Sequence, residues 1–290
     1  MSARPIPGVP EEPVPARDGG ERFLDLLRVM ERLRGPDGCP WDREQTHQTL
    51  ARHLLEEAHE AIEAIDAGDL DALRDELGDV LLQVVFHAEM ARQEGAFDAD
   101  DVAEGIVRKL IRRHPHVFGD VEVASASEVL VNWERIKERE KADRGEAPRR
   151  GVDEEIPATL PALARAAKVQ RRAAGSGFDW RSPEAALEGV RAELGELERE
   201  LAEAEGPAGA SSEARGRAEG ALGDLLFAAA ALGRRLGVDP ETALRKATRR
   251  FADRFERVRE RAEAEGVDLA ALPDRELRAR LREAGRDQTA

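Results

Sequence analysis

Glu56, Glu57, Glu60, Glu76 and Asp79 all fall inside "LLEEAHEAIEAIDAGDLDALRDELGDVLLQVVFHAEMA" (54–91), a stretch whose apolar spacing is that of buried helix. At about 100° of rotation per residue, Leu54, Ala58, Ala61 and Ile65 form the apolar stripe of a first helix, and Leu73, Leu77, Val80 and Val84 that of a second. Glu57 and Glu60 lie on one flank of the first stripe, and Glu76 and Asp79 lie on the same flank of the second. Residues three apart on a helix are neighbours, so each helix presents two carboxylates side by side. A hairpin packed through these stripes brings the pairs together. Four converging carboxylates repel and raise one another's pKa unless a cation sits among them. An all-oxygen set suits a hard divalent ion such as Mg²⁺, which keeps waters and substrate phosphates in its remaining positions. The competing reading is a solvated helix face, because Glu is a good helix former; the matching flanks on both helices favour the metal.

Other chemistry in the chain is weaker. Glu56 and His59 make a Glu-x-x-His step of the kind used by di-iron bundles, but such a site needs two, and Val84 before His87 and Ile111 before His114 supply no second acid. His53 and His59 therefore read as surface or flank residues. "RKLIRRHPHVF" (108–118) gathers Lys109, Arg112, Arg113, His114 and His116 at a helix end. These cations can hold phosphate oxygens, or they can simply complement the helix macrodipole. Trp41 and Trp133 can stack on a base, although packing under a loop is the simpler role for each, and Asn132 and Lys137 are candidate polar contacts.

The elements that position these groups are helices. Charged residues make up 36% of the 290-residue chain and aromatics 4%, with no Tyr, a balance that suits helices with solvated faces and predicts an all-α fold. Periodicity begins at "ERFLDLLRVMERLR" and stops at "GPDGCPW". Helices follow at about 50–66 and 70–94, with Gly68 ending one and Asp69 capping the next, then at 99–113 and 126–141. Residues 142–160, rich in Gly, Pro and charge, read as a linker. The pattern then returns: "LGDVLLQVVFHAEMA" (77–91) is echoed by "LGDLLFAAAALGRRL" (222–236), and "RKLIRRHPHVF" more weakly by "RKATRRFADRF" (245–255). This is one duplication, too long in period for a solenoid. The expected organisation is a tail at 1–20, a helical unit at 21–141, the linker, a second helical unit at 161–265 and a tail at 266–290.

A net charge of −15 argues against long nucleic acids and anionic membranes as partners. The single cysteine, Cys39, excludes an internal disulfide and fits a reducing compartment. The Pro-rich N-terminus lacks an apolar signal core, and no later stretch is apolar for long enough to span a bilayer, so a soluble cytoplasmic protein is expected.

Taken together, "GCPWDREQT", "LLEEAHE", "LRDELGD", "RRHPHVFGD", "NWERIKERE", "GFDW" and "LGDLLF" resemble the MazG family of all-α nucleoside triphosphate pyrophosphohydrolases, in order over about residues 21–262. The carboxylate motif alone is shared with related enzymes acting on other nucleotides; the whole series is far more specific. The resemblance implies hydrolysis of nucleoside triphosphates to monophosphate and pyrophosphate, dependent on Mg²⁺ with Mn²⁺ as an alternative, in helical units that form homodimers. It implies that Glu57, Glu60, Glu76 and Asp79 bind the metal, that Glu56 orients or deprotonates water, and that Lys109 and Arg113, with Arg112, Trp133 and Lys137 nearby, serve the nucleotide. In the second half, Glu193, Glu196 and Asp224 match metal positions, and Lys246 and Arg250 match the cations, but Ala192 and Ala221 replace two of the acids. The first half is therefore expected to carry most of the activity. The rival reading is a nucleotide-binding regulatory protein in which catalysis has faded.

Overall fold

The computed structural model describes residues 20–143, 145, 151–204 and 211–286. Among them every regular element is helical: α1 (Gly20–Arg34), α2 (Pro40–Glu44), α3 (His47–Ala67), α4 (Leu70–Gln93), α5 (Ala99–Arg113), α6 (Pro115–Phe118), α7 (Ala126–Asp143), α8 (Ala162–Gly175), α9 (Pro183–Ala204), α10 (Ser212–Arg235), α11 (Pro240–Glu265) and α12 (Asp274–Arg286), with a 3-10 turn at Leu269–Ala271. No described helix is long and apolar enough to cross a membrane. The chain divides into two compact units, with the boundary at Pro148/Arg149.

In the first unit the α3–α4 hairpin is made by its two-residue link. Gly68 takes the left-handed conformation (φ 70°), and the Asp69 carboxylate accepts hydrogen bonds from the Asp71 and Ala72 amides, so one residue ends a helix and the next begins one. The hairpin packs against α1 through Met30, Leu50, Val85, Phe86 and Met90, with Phe23, Leu26, Leu27, Leu33 and Leu82 around them. The turn after α1 depends on Gly38, where any Cβ would meet the Leu33 carbonyl oxygen at 2.1 Å. Arg34 then ties the turn to α4: its Nε donates to Gln93 Oε1 at 3.1 Å, its guanidinium lies over Phe86 and it donates to the Asp42 carbonyl.

Only half of each predicted apolar stripe is buried in the hairpin. Ala61 is buried and Leu73 and Val80 partly so, whereas Leu77 (52% exposed), Val84 (42%), Leu54 and Ile65 face outward. A two-helix seam covers a narrower arc than the stripe occupies, so the hairpin keeps a second apolar face.

His47, at the start of α3, meets His87 on α4 with their Nδ1 atoms 2.7 Å apart. The rings are parallel within 4° and their centres are 5.0 Å apart. That centre spacing puts both nitrogens on the line joining the rings, which is the geometry of one N–H···N hydrogen bond and leaves no room for a second proton. Burial, and then His47, hold His87 below the ordinary imidazole value. The unfolded chain therefore binds more protons in mild acid, so the contribution of His87 is present above about pH 6.5 and is lost as pH falls below it toward the lowered folded value. His87→Gln is expected to flatten this dependence; urea titrations between pH 7.5 and 5.5 that give parallel losses for both proteins would contradict it.

The second unit repeats the hairpin as α9 and α10, with α8 and α11 against α10 and α12 against α11. Its buried side chains are mostly small, among them Ala167, Ala186, Ala221, Ala230, Ala231 and Ala262, with Val258 the largest of this group. Part of the expected linker belongs to this unit: Ile156 is buried, and Arg172 on α8 donates to the Val152 and Glu154 carbonyls. The expected C-terminal tail carries α12, whose Ala284 carbonyl accepts from Arg257 on α11. Asp179 of "GFDW" accepts from Arg234 and Arg235 at the end of α10, fastening the α8–α9 connection.

Candidate metal centre

The hairpin register brings together the acids that the flank pattern selects. Oxygen atoms of Glu57, Glu76 and Asp79 all lie within 4.8 Å of one another, the only such group of three metal-ligating side chains among the described residues. Glu60 lies within hydrogen-bonding reach of both Glu57 and Glu76. Glu57 and Glu76 are half-buried while Glu60 and Asp79 are exposed, so the group opens to solvent on one side.

Crowding is registered in the protonation equilibria. Glu57 is raised above the usual carboxylate value, first by burial and then by the charges of Asp79 and Glu60, proton sharing with Glu60, and Glu76. Glu76 is raised by burial and then by Glu60, Asp79 and Asp75. Repulsion of this kind is relieved by a cation at the point where the oxygens converge, and the donor set, oxygen only and mostly charged, fits a hard divalent ion.

The other site residues are distributed differently. Glu56 is exposed, outside the carboxylate group, with Oε2 held by His53 Nδ1 at 3.0 Å. Lys109 on α5 is exposed and makes no ion pair among the described residues. Arg112 and Arg113 are already engaged: Glu140 of α7 accepts from Arg112 Nε at 2.6 Å and from Arg113 Nη2 at 2.6 Å. Trp133 on α7 is partly exposed and Asn132 half-buried, while the Lys137 side chain lies outside the described residues. Two polar groups escaped the sequence reading. Gln83, buried on α4, continues the flank of Glu76 and Asp79 at a spacing of three and then four residues, which was its visible signal; the His47–His87 pair has no local signal at all.

The second unit does not reproduce the centre. Glu193, Glu196 and Asp224 form no close carboxylate group among the described residues, Glu196 is ion-paired with Arg199, and Ala221 is buried where the first unit has Glu76. Lys246 and Arg250 are exposed on α11.

Residues 45–118, which hold the whole carboxylate group, match the family described as MazG nucleotide pyrophosphohydrolase domain. The chain is 46% identical over 261 residues to the Thermotoga maritima protein named nucleoside triphosphate pyrophosphohydrolase/pyrophosphatase MazG, covering 90% of this chain and 94% of that one. It is 44% identical over 248 residues to the nucleoside triphosphate pyrophosphohydrolase of Escherichia coli K12, covering 85% and 90%. A solved structure, the crystal structure of a mazG-related protein from Thermotoga maritima, aligns with 41% of this chain and 98% of its own at 29% identity and a TM-score of 0.35.

Proposed function

The chain belongs to the MazG family, and from that premise we propose that it hydrolyses nucleoside triphosphates to nucleoside monophosphate and pyrophosphate, using a divalent cation, Mg²⁺ or Mn²⁺, held by Glu57, Glu60, Glu76 and Asp79. The observation that carries this reading is the convergence of the Glu57, Glu76 and Asp79 oxygens within 4.8 Å on the hairpin. When bound, the cation neutralises charge on the phosphates and makes the phosphorus a better electrophile. Glu57 and Glu76, raised in the absence of a cation, would hold it as carboxylates, the ion relieving the repulsion that raises them. Glu56, outside this group and with Oε2 held by His53, is the carboxylate left to take the proton of the attacking water. Lys109, exposed and without an ion pair among the described residues, is the cation best available to the leaving pyrophosphate. Arg112 and Arg113 would first have to release Glu140.

The first unit carries the reaction in this proposal. The second, with Ala192 and Ala221 in place of two acids and no close carboxylate group among the described residues, serves as scaffold or as a binding unit. The outward-facing Leu77, Leu81 and Val84, one turn apart on α4, support a homodimer formed through the hairpin. A cytoplasmic location, where nucleoside triphosphates are made and used, belongs to the same proposal. Incubation with a panel of triphosphates and Mg²⁺ is expected to yield monophosphate and pyrophosphate; diphosphate with orthophosphate would refute the reaction class.

A further inference from the structure

The flank of α4 that carries Glu76 and Asp79 does not end with the acids. Gln83 follows on the next turn, is 6% exposed, and its Oε1 has no hydrogen-bond partner among the described residues. Buried acceptors without donors are uncommon because the lost hydration is not replaced. Other buried polar groups of this unit are paired: Glu89 accepts from Arg92 and Gln93, and Glu140 from Arg112 and Arg113. Gln170 of the second unit also has an unpaired oxygen, but its Nε2 is anchored on the Phe227 carbonyl at 2.7 Å. No such anchor is found for Gln83 among the described residues.

The register of the hairpin locates Gln83 relative to the metal centre. Glu57 meets Asp79, and farther along the seam His47 meets His87. His53 lies four residues before Glu57 and Gln83 four residues after Asp79, so these two occupy the level next to the carboxylates. His53 has little left to offer: Nδ1 is taken by Glu56, Arg52 Nε donates to Nε2 at 3.3 Å, and Trp41 packs edge-on against the ring, centres 6.3 Å apart. The unsatisfied group at this level is the Gln83 amide.

We propose that the level of His53 and Gln83 is the sugar subsite of the carboxylate centre, with Gln83 Oε1 accepting a hydrogen bond from a hydroxyl of the nucleotide's sugar. The inference rests on the hydrolysis proposed above. One helical turn, about 5.4 Å, separates this level from the acids. In a nucleotide whose phosphates reach the cation, the atoms at that distance from the reacting phosphorus belong to the sugar, and the base lies farther out. A hydroxyl is also the donor that the amide oxygen lacks. The amide is covered in the free protein.

The test compares ribo-, deoxy- and dideoxynucleoside triphosphates of one base on the full-length chain, wild type against Gln83→Met and Gln83→Leu, with Mg²⁺. In the wild type, removal of the hydroxyl that Gln83 reads is expected to lower kcat/KM roughly ten- to hundredfold, since a site built to pair a hydroxyl penalises its absence. Both variants are expected to show the low value with every sugar. Equal wild-type kcat/KM for all three sugars overturns the proposal without reference to any variant. So does a sugar penalty of unchanged size in a folded variant, or a variant whose preference shifts among bases at constant sugar. Calorimetric binding of non-hydrolysable triphosphates of the same sugars separates this idea from the reaction on which it rests. A wild type that hydrolyses nothing, yet binds the sugars unequally in a way lost in Gln83→Met, keeps the subsite and discards the hydrolysis.

Discussion

Glu57→Ala or Asp79→Ala is expected to reduce pyrophosphate release about a hundredfold or more, while Asp224→Ala leaves it within about a factor of three. The difference follows from geometry rather than from the acids themselves. Asp79 has Glu57 and Glu76 within 4.8 Å, whereas Asp224 belongs to no close carboxylate group among the described residues, and buried Ala221 stands where the corresponding glutamate would be. A second readout is independent of turnover. Because Glu57 and Glu76 are raised in the cation-free protein, their folded state favours the protonated form. Its relative stability is therefore greatest below the ordinary carboxylate value of 4.5 and declines as pH rises through the folded values. A divalent cation reverses this loss by binding the ionised form. At neutral pH, Mg²⁺ is thus expected to raise the thermal unfolding midpoint of the wild type and to have little effect on Glu57→Ala, while the metal-free variant is at least as stable as the metal-free wild type. Retained hydrolysis in Glu57→Ala together with its abolition in Asp224→Ala would move the active centre to the second unit.

Why the centre was legible and its surroundings were not has a physical explanation. The acids of α3 and α4 are joined by a two-residue link, and Gly68 and Asp69 are residues whose conformational and capping preferences leave little choice of geometry. Once the link is fixed, helical periodicity alone determines which side chains share a flank, so Glu57, Glu60, Glu76 and Asp79 could be grouped from spacing. The same reasoning overstates the buried stripe. Leu77 and Val84 have the period of core residues and yet are exposed, because periodicity reports that a face is apolar and says nothing of what covers it. Pairings between distant segments carry no local signal. His47 meets His87 across 40 residues, and the cations of "RKLIRRHPHVF", grouped by sequence as phosphate ligands, are in part claimed by Glu140 nearly 30 residues later. The segment after Gly266 is rich in charge, which suggests a tail, yet it carries α12, which packs on α11 where Ala284 and Gly285 allow close approach to Arg257 and Arg254.

Glu140→Gln is expected to destabilise the first unit by about 3 kcal/mol, the scale found when one partner is removed from a buried ion pair. The carboxylate is buried and accepts from two guanidiniums, of which Arg113 is itself largely covered, its side chain 14% exposed. Gln keeps the shape and one acceptor but withdraws the charge that both arginines face, leaving Arg113 desolvated and uncompensated. The hydrogen bond from Arg113, opposed by burial and aided by the bond from Arg112, lowers Glu140 to about 2. A depressed carboxylate contributes stability that is present above its ordinary value of 4.5 and is lost as pH falls toward about 2. The wild type should therefore lose stability through this acid range faster than Glu140→Gln, in urea titrations at a series of pH values; identical slopes would show that the ion pair contributes nothing. The same variant separates two roles for the arginines. If they serve chiefly to bind α7 to α5, Glu140→Gln lowers the unfolding midpoint with little change in KM for the triphosphate under conditions where the protein is folded, while Lys109→Ala raises KM without loss of stability. If they are phosphate ligands held in reserve, releasing them from Glu140 lowers KM, and Lys109 loses its special place in the proposal.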